Sequence, residues 1–245
     1  MSKIELKGAL RYDIKSSMAG VAVFLGVMVV VWLLNFMLSF SFGGEGIYSS
    51  GFEMGTAIFM FVLGINSIRQ DLRIFLQNGR GRTTVFLSQL VITLVISAVM
   101  AVMAGLLIEL FQLITALGSP QMEYASFYSM VGLTSGLGTF LNTVAYTFLQ
   151  CIPTFLFGMM VSLIYYRLPK LGRVIFSIAV PGVLFVGLRV WAANNPALGN
   201  AFGAFIKFVV DTLQTPLMIL AAFTLVMSPI MALISWLLLR RAEVK

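Results

Sequence analysis

The chain has 245 residues, 60% of them hydrophobic and only 10% charged, with a mean hydropathy of +1.00 and a net charge of +7. A water-soluble domain cannot hide that much apolar surface. Strand-like alternation is absent, so the composition excludes a soluble enzyme and a membrane barrel and predicts an all-α integral membrane protein.

Residues 2–16 are amphipathic. Leu6, Leu10 and Ile14 repeat every four residues, and Lys3, Lys7, Arg11 and Lys15 repeat beside them. That pattern predicts an interfacial helix in the headgroup plane with the four cations as membrane anchors; the other reading is a flexible basic leader. The apolar run that follows is too long for a cleavable signal. Spans are predicted at 18–40 and 52–68, joined by a cation-free outer loop holding Glu45. After the second span, Ile68, Leu72, Phe75 and Leu76 share one helical face. Arg69 and Arg73 lie on a neighbouring face, with Asp71 between them in sequence. Asn78-Gly79 is expected to end this short helix, Arg80 and Arg82 follow, and Thr83 or Thr84 is expected to cap the next helix.

Further spans are predicted at 85–110, 137–166, 174–191 and 216–239. Glu109 should reach the outer interface, and 112–135 reads as an outer loop with a partly buried aromatic stretch at Tyr124, Phe127 and Tyr128. Pro153 predicts a kink in the fourth span, whose Tyr165 and Tyr166 belong to an inner aromatic belt. A tight turn around Pro169 and Gly172 fills 167–173. Pro181-Gly182 interrupts the fifth span, and Ser228-Pro229 bends the sixth. Between them Phe202, Phe205, Ile206 and Val209 suggest a short outer or re-entrant helix.

Fourteen of the sixteen cations fall before the first span, in the second and fourth connections, or at the end of the chain; only Arg189 and Lys207 do not. The positive-inside rule then places both termini in the cytoplasm with six spans between them. The basic balance fits lipid headgroups and does not suggest nucleic acid. The single cysteine, Cys151, excludes an intrachain disulfide, and the absence of histidine removes most zinc sites and the usual general base. No Gly-Lys pair exists to build a Walker A loop. The deep positions carry neutral groups such as Asn35, Asn142, Thr143 and Gln150. Glu53, Glu109, Arg189 and Asp211 map near the outer boundary as interfacial anchors. Gly132 and Gly136 fit either close helix approach or loop flexibility.

On pattern alone, 69–82 reads equally as a basic loop that sets orientation or as a docking element. The run DLRIFLQNGRGRTTVFLSQ, residues 71–89, resembles the segment after the second span in ABC-2 type permeases, the membrane subunits of ATP-driven exporters. The connection between the last two spans is similar to theirs as well. The resemblance implies a single transmembrane domain over 1–245 with an elbow helix at 2–16 and a cytoplasmic coupling helix at 69–82. Arg69, Asp71, Leu72, Arg73, Phe75, Leu76, Asn78, Gly79, Arg80 and Arg82 would then face a separate ATP-binding subunit, with 167–173 as a weaker second contact. It further implies pairing with a second, identical or related permease in a bacterial cytoplasmic membrane. ATP and Mg would sit on the partner, with no catalytic residue, metal or cofactor on this chain. The cargo would be an amphipathic peptide, toxin or lipid-like molecule moved outward. Two other classes stay open: a sensor or assembly protein without transport, and an ion-coupled carrier needing an acidic residue.

Overall fold

A computed structural model describes residues 3–41, 52–77, 81–118, 137–182 and 216–240, and all of these are helical except Gly81, Leu168 and Pro169. The helices are α1 (Lys3–Ser41), α2 (Phe52–Gln77), α3 (Arg82–Gly118), α4 (Leu137–Arg167), α5 (Lys170–Gly182) and α6 (Pro216–Arg240). Four stretches within them are long and apolar enough to cross a membrane: Ser17–Leu38, Arg82–Ile114, Phe140–Arg167 and Leu217–Arg240. A shorter apolar stretch, Phe52–Ile68, lies in α2. At 1.5 Å per residue it is about 25 Å long, against a hydrocarbon core of roughly 30 Å. Outward side chains such as Val23, Leu34, Leu225 and Leu233 are apolar and exposed, as a lipid-facing surface requires.

Helix α4 is the hub. It packs against α2, α3 and α6, most extensively against α2, while α1 leans on α3 and α2. The α2–α4 contact is set by two glycines. A Cβ built on Gly64 would lie 2.2 Å from the Phe155 carbonyl oxygen, and one on Gly158 would lie 2.2 Å from that of Phe61. The two backbones therefore touch, which only hydrogen side chains allow. Three apolar layers stack along the bundle. Trp32, Phe52 and Phe111 mark one end, with the Trp32 and Phe111 rings stacked at 4.4 Å. Val21, Met60, Ile96 and Phe155 fill the middle. Ile68, Leu163 and Leu239 close the other end.

Pro153 lies inside α4, as expected, and cannot donate to the carbonyl of Leu149 four residues earlier. Thr224 of α6 supplies the missing donor, its hydroxyl reaching the Leu149 oxygen at 2.9 Å. A backbone group freed in an apolar layer needs such a partner, since no water is there to serve. Four other buried hydroxyls bond within their own helix: Thr56 to the Phe52 carbonyl, Ser88 to Val85, Thr93 to Gln89 and Thr147 to Thr143.

Several sequence boundaries shift. Residues 2–16 and 18–40 were expected as two helices; from Lys3 they form one helix, because no proline and no glycine-rich break separates them. The 69–82 stretch was likewise expected as its own helix, yet 69–77 continues α2 without interruption. Helix α3 extends past Leu110 through Gln112 to Gly118, into the stretch read as a loop, because Phe111 still packs between Trp32 and Phe52. The fourth connection is shorter than 167–173. Pro169 is the N-cap of α5, with the Arg173 amide bonding its carbonyl at 3.0 Å, so Gly172 and Arg173 are already helical. Helix α4 starts at Leu137 and α6 runs from Pro216 to Arg240. Residues 183–215, which include the end of the fifth span, Arg189, Lys207, Asp211 and the re-entrant segment, lie outside the described residues. So do 119–136, with Gly132 and Gly136, and both chain termini.

Candidate functional site

The end of the bundle closed by Ile68, Leu163 and Leu239 gathers the described cations. Helix α6 ends there with carbonyls that have no partner within the helix. Arg82, the first residue of α3, donates from Nη1 to the Arg240 carbonyl at 2.7 Å. Arg167, the last residue of α4, donates from Nη2 to the Leu238 carbonyl at 2.6 Å. Two guanidiniums thus cap one helix from two neighbours, and their positive charge meets the negative end of the helix dipole. Arg173 is held on the same rim: its Nε donates to the carbonyls of Tyr165, at 2.9 Å, and Leu168, at 3.0 Å.

The residues singled out in 69–82 fall into three groups. Arg69, Asp71, Leu72, Arg73, Phe75 and Leu76 stand on the last turns of α2, which rises nine residues, or about 13 Å, beyond the buried Ile68. Asn78, Gly79 and Arg80 lie outside the described residues. Arg82 is described and engaged with α6, as given above. The N-cap of α3 is Gly81 rather than Thr83 or Thr84, because its carbonyl accepts the amides of Thr84, at 3.0 Å, and Val85, at 3.3 Å. Glycine is tolerated at that position, and Thr84 instead becomes buried. Of the four N-terminal anchors, Lys3, Lys7 and Arg11 ride on the first turns of α1, and Lys15 is exposed.

Glu53 departs from the interfacial role read for it. It is 3% exposed, in the first turn of α2 beside Phe52, where the positive end of the helix dipole favours a carboxylate. Glu109 is half-buried near the same end.

Between α2 and α4, on the cation-bearing rim, lies a cavity of about 580 Å³. Its apolar wall includes Phe61, Ile65 and Val161, and its polar mouth is formed by Asn66, Ser162, Tyr165, Tyr166 and Arg173. The sequence placed the two tyrosines in an aromatic belt but gave no sign that Arg173 and Asn66 would line one cavity with them. The two caps on α6 were missed as well. Their only trace was position, an arginine at the first residue of one helix and the last of another.

The described fold is that of a multi-pass helical membrane protein with a cationic rim at one end. Comparison with protein-family models, curated proteins and solved structures matches the chain to none of them.

Proposed function

We propose that the chain is the permease subunit of an ATP-driven exporter, powered by a separate ATP-binding subunit that docks on residues 69–82. Six spans with both termini in the cytoplasm complete this reading, the fifth running through residues beyond Gly182. The observation that carries it is that both described ends of the cationic connection belong to the bundle. Its first half is the uninterrupted end of α2. Its last residue, Arg82, is bonded to the end of α6, which Arg167 ties in turn to α4. A push on this segment passes along α2 to the Gly64–Gly158 crossing, and through Arg82 to α6. Packed helices shift between discrete arrangements rather than deform, so a stroke at the rim becomes a rearrangement of the bundle.

The resemblance of residues 71–89 to ABC-2 type permeases supplies the class of motor. Two such subunits, identical or related, would form the path in a bacterial cytoplasmic membrane. By the same resemblance the cargo would be amphipathic or hydrophobic. A carrier driven by ion coupling has a buried carboxylate to draw on in Glu53, but that group sits at the far end of α2 and not midway along a path. Purification from the native membrane distinguishes these readings. The exporter retains a stoichiometric ATPase that Arg73→Glu with Arg80→Glu releases. A carrier or sensor brings no such subunit, and an unchanged yield of ATPase in the double variant would reject docking on 69–82.

A further inference from the structure

We propose that the cavity between α2 and α4 is a binding site for one anionic phospholipid of the leaflet at the cation-bearing end, a role separate from the coupling reading above. The cavity has the two-part chemistry of such a lipid. Its mouth carries Arg173, the phenols of Tyr165 and Tyr166, and the side chains of Asn66 and Ser162. Its wall runs down α2 to Phe61, seven residues or about 10 Å deeper than Ile68, and is apolar on both helices. A headgroup phosphate at the mouth and the first part of an acyl chain against the wall satisfy both.

The charge chooses the occupant. Among the described residues, no carboxylate lines the cavity. Arg173 is fixed by its Nε, which donates to the Tyr165 and Leu168 carbonyls, and its terminal amino groups bond to none of the described residues. Arginine offers those two nitrogens as a fork that matches phosphate oxygens. Arg173 also stands in the first turn of α5, where the helix dipole adds positive potential. Tyr165 is oriented by its hydroxyl contact with Ser177 and by the edge of Phe176, 5.4 Å away between ring centroids. Arg173 and Tyr165 are therefore already held by protein partners without a lipid. A zwitterionic headgroup would bring its own cation to the same arginine and gain less.

Native mass spectrometry of the purified full chain, incubated with equal amounts of phosphatidylglycerol and phosphatidylcholine, tests the site. One phosphatidylglycerol should stay bound preferentially. Arg173→Gln should weaken its retention about fivefold, the effect of removing one interfacial cation. Ser162→Trp, which fills the cavity, should abolish it, while Arg240→Gln, which removes a cation from the same rim outside the cavity, should leave it unchanged. Equal retention of the two lipids would overturn the proposal. So would equal losses in the Arg173 and Arg240 variants, which would mean a diffuse basic belt; that comparison stands even if the tryptophan variant does not fold. Displacement of the bound species by inorganic phosphate alone would also count against a lipid.

Discussion

Replacing Gly64 by alanine should lower the stability of this bundle, although the same change in an ordinary helix raises it. In a helix interior alanine is favoured over glycine by about 1 kcal/mol. At Gly64 the added carbon would lie 2.2 Å from the Phe155 oxygen, about 1.2 Å short of ordinary contact at 3.4 Å. The obstacle is backbone, so no rotamer change relieves it, and α2 must move away from α4 by about that amount. A gap of 0.5–1 Å already forfeits roughly a quarter to a half of each dispersion contact. Overpacking of this kind costs about 1–3 kcal/mol, which in a chain of this size is a fall of roughly 5 °C in the unfolding midpoint. Gly158→Ala should cost the same, since its Cβ meets the Phe61 oxygen at the same distance. The double variant is the sharper test: once the helices have separated for one methyl, the second enters space already opened. Its loss should therefore be well below the sum of the two. Gly26→Ala, on a face of α1 with nothing within 4 Å, serves as control and should be neutral or stabilising. Thermal unfolding in detergent, followed by circular dichroism, reads all four. Unchanged midpoints for Gly64→Ala and Gly158→Ala, or strictly additive losses, would refute the close crossing.

The remaining predictions concern polar groups. Thr224→Val should cost about 1 kcal/mol by leaving the Leu149 carbonyl unpartnered in the apolar layer, and nothing in a Pro153→Ala background, where a backbone amide returns to that carbonyl; unfolding midpoints of the four-variant cycle decide it. Ser97→Ala should be neutral or slightly stabilising, because the Ser97 hydroxyl is fully buried and has no partner among the described residues; a clear loss in the same assay would show an unseen bond. Arg82→Leu and Arg167→Leu should each lower the midpoint by uncapping α6, with hydrogen exchange accelerated at the last turn of α6 and not at its start. The native chain should resist a membrane-permeant maleimide until denatured, since Cys151 is 1% exposed; fast labelling would place that face of α4 in an open path.

Much of this architecture was legible in the residues. The long apolar runs and Pro153 mark the helices, and the cation pattern groups Arg82, Arg167, Arg173 and Arg240 on one side, where the structure also gathers them. What failed were element ends, and for one reason. Hydropathy locates where apolar character stops, but α1, α2 and α3 run on as helices beyond that point. Nothing in the backbone of 69–77 asks it to break, and Phe111 finds Trp32 one residue past the expected end. Gly64 and Gly158 escaped notice because neither forms a Gly-x-x-x-Gly pair within its own helix, and they stand ninety-four positions apart. Their meaning is a pair property. The same holds for Thr224 and Pro153, and for the arginines that cap α6, whose partners are carbonyls and so leave no signature of their own. Within the proposed coupling segment, the sequence identified the cations but not that Arg82 is already occupied.

The way α6 is held has a consequence for how the molecule is made. Before that helix enters, the preceding ones carry an orphan carbonyl at Leu149 and two arginines, at 82 and 167, with no carbonyls to grip. Its arrival settles all three at once, so it acts as a keystone for the helices before it. A chain in which α6 has not yet docked therefore carries a local mark of incompleteness, in that carbonyl and pair of guanidiniums, which docking erases.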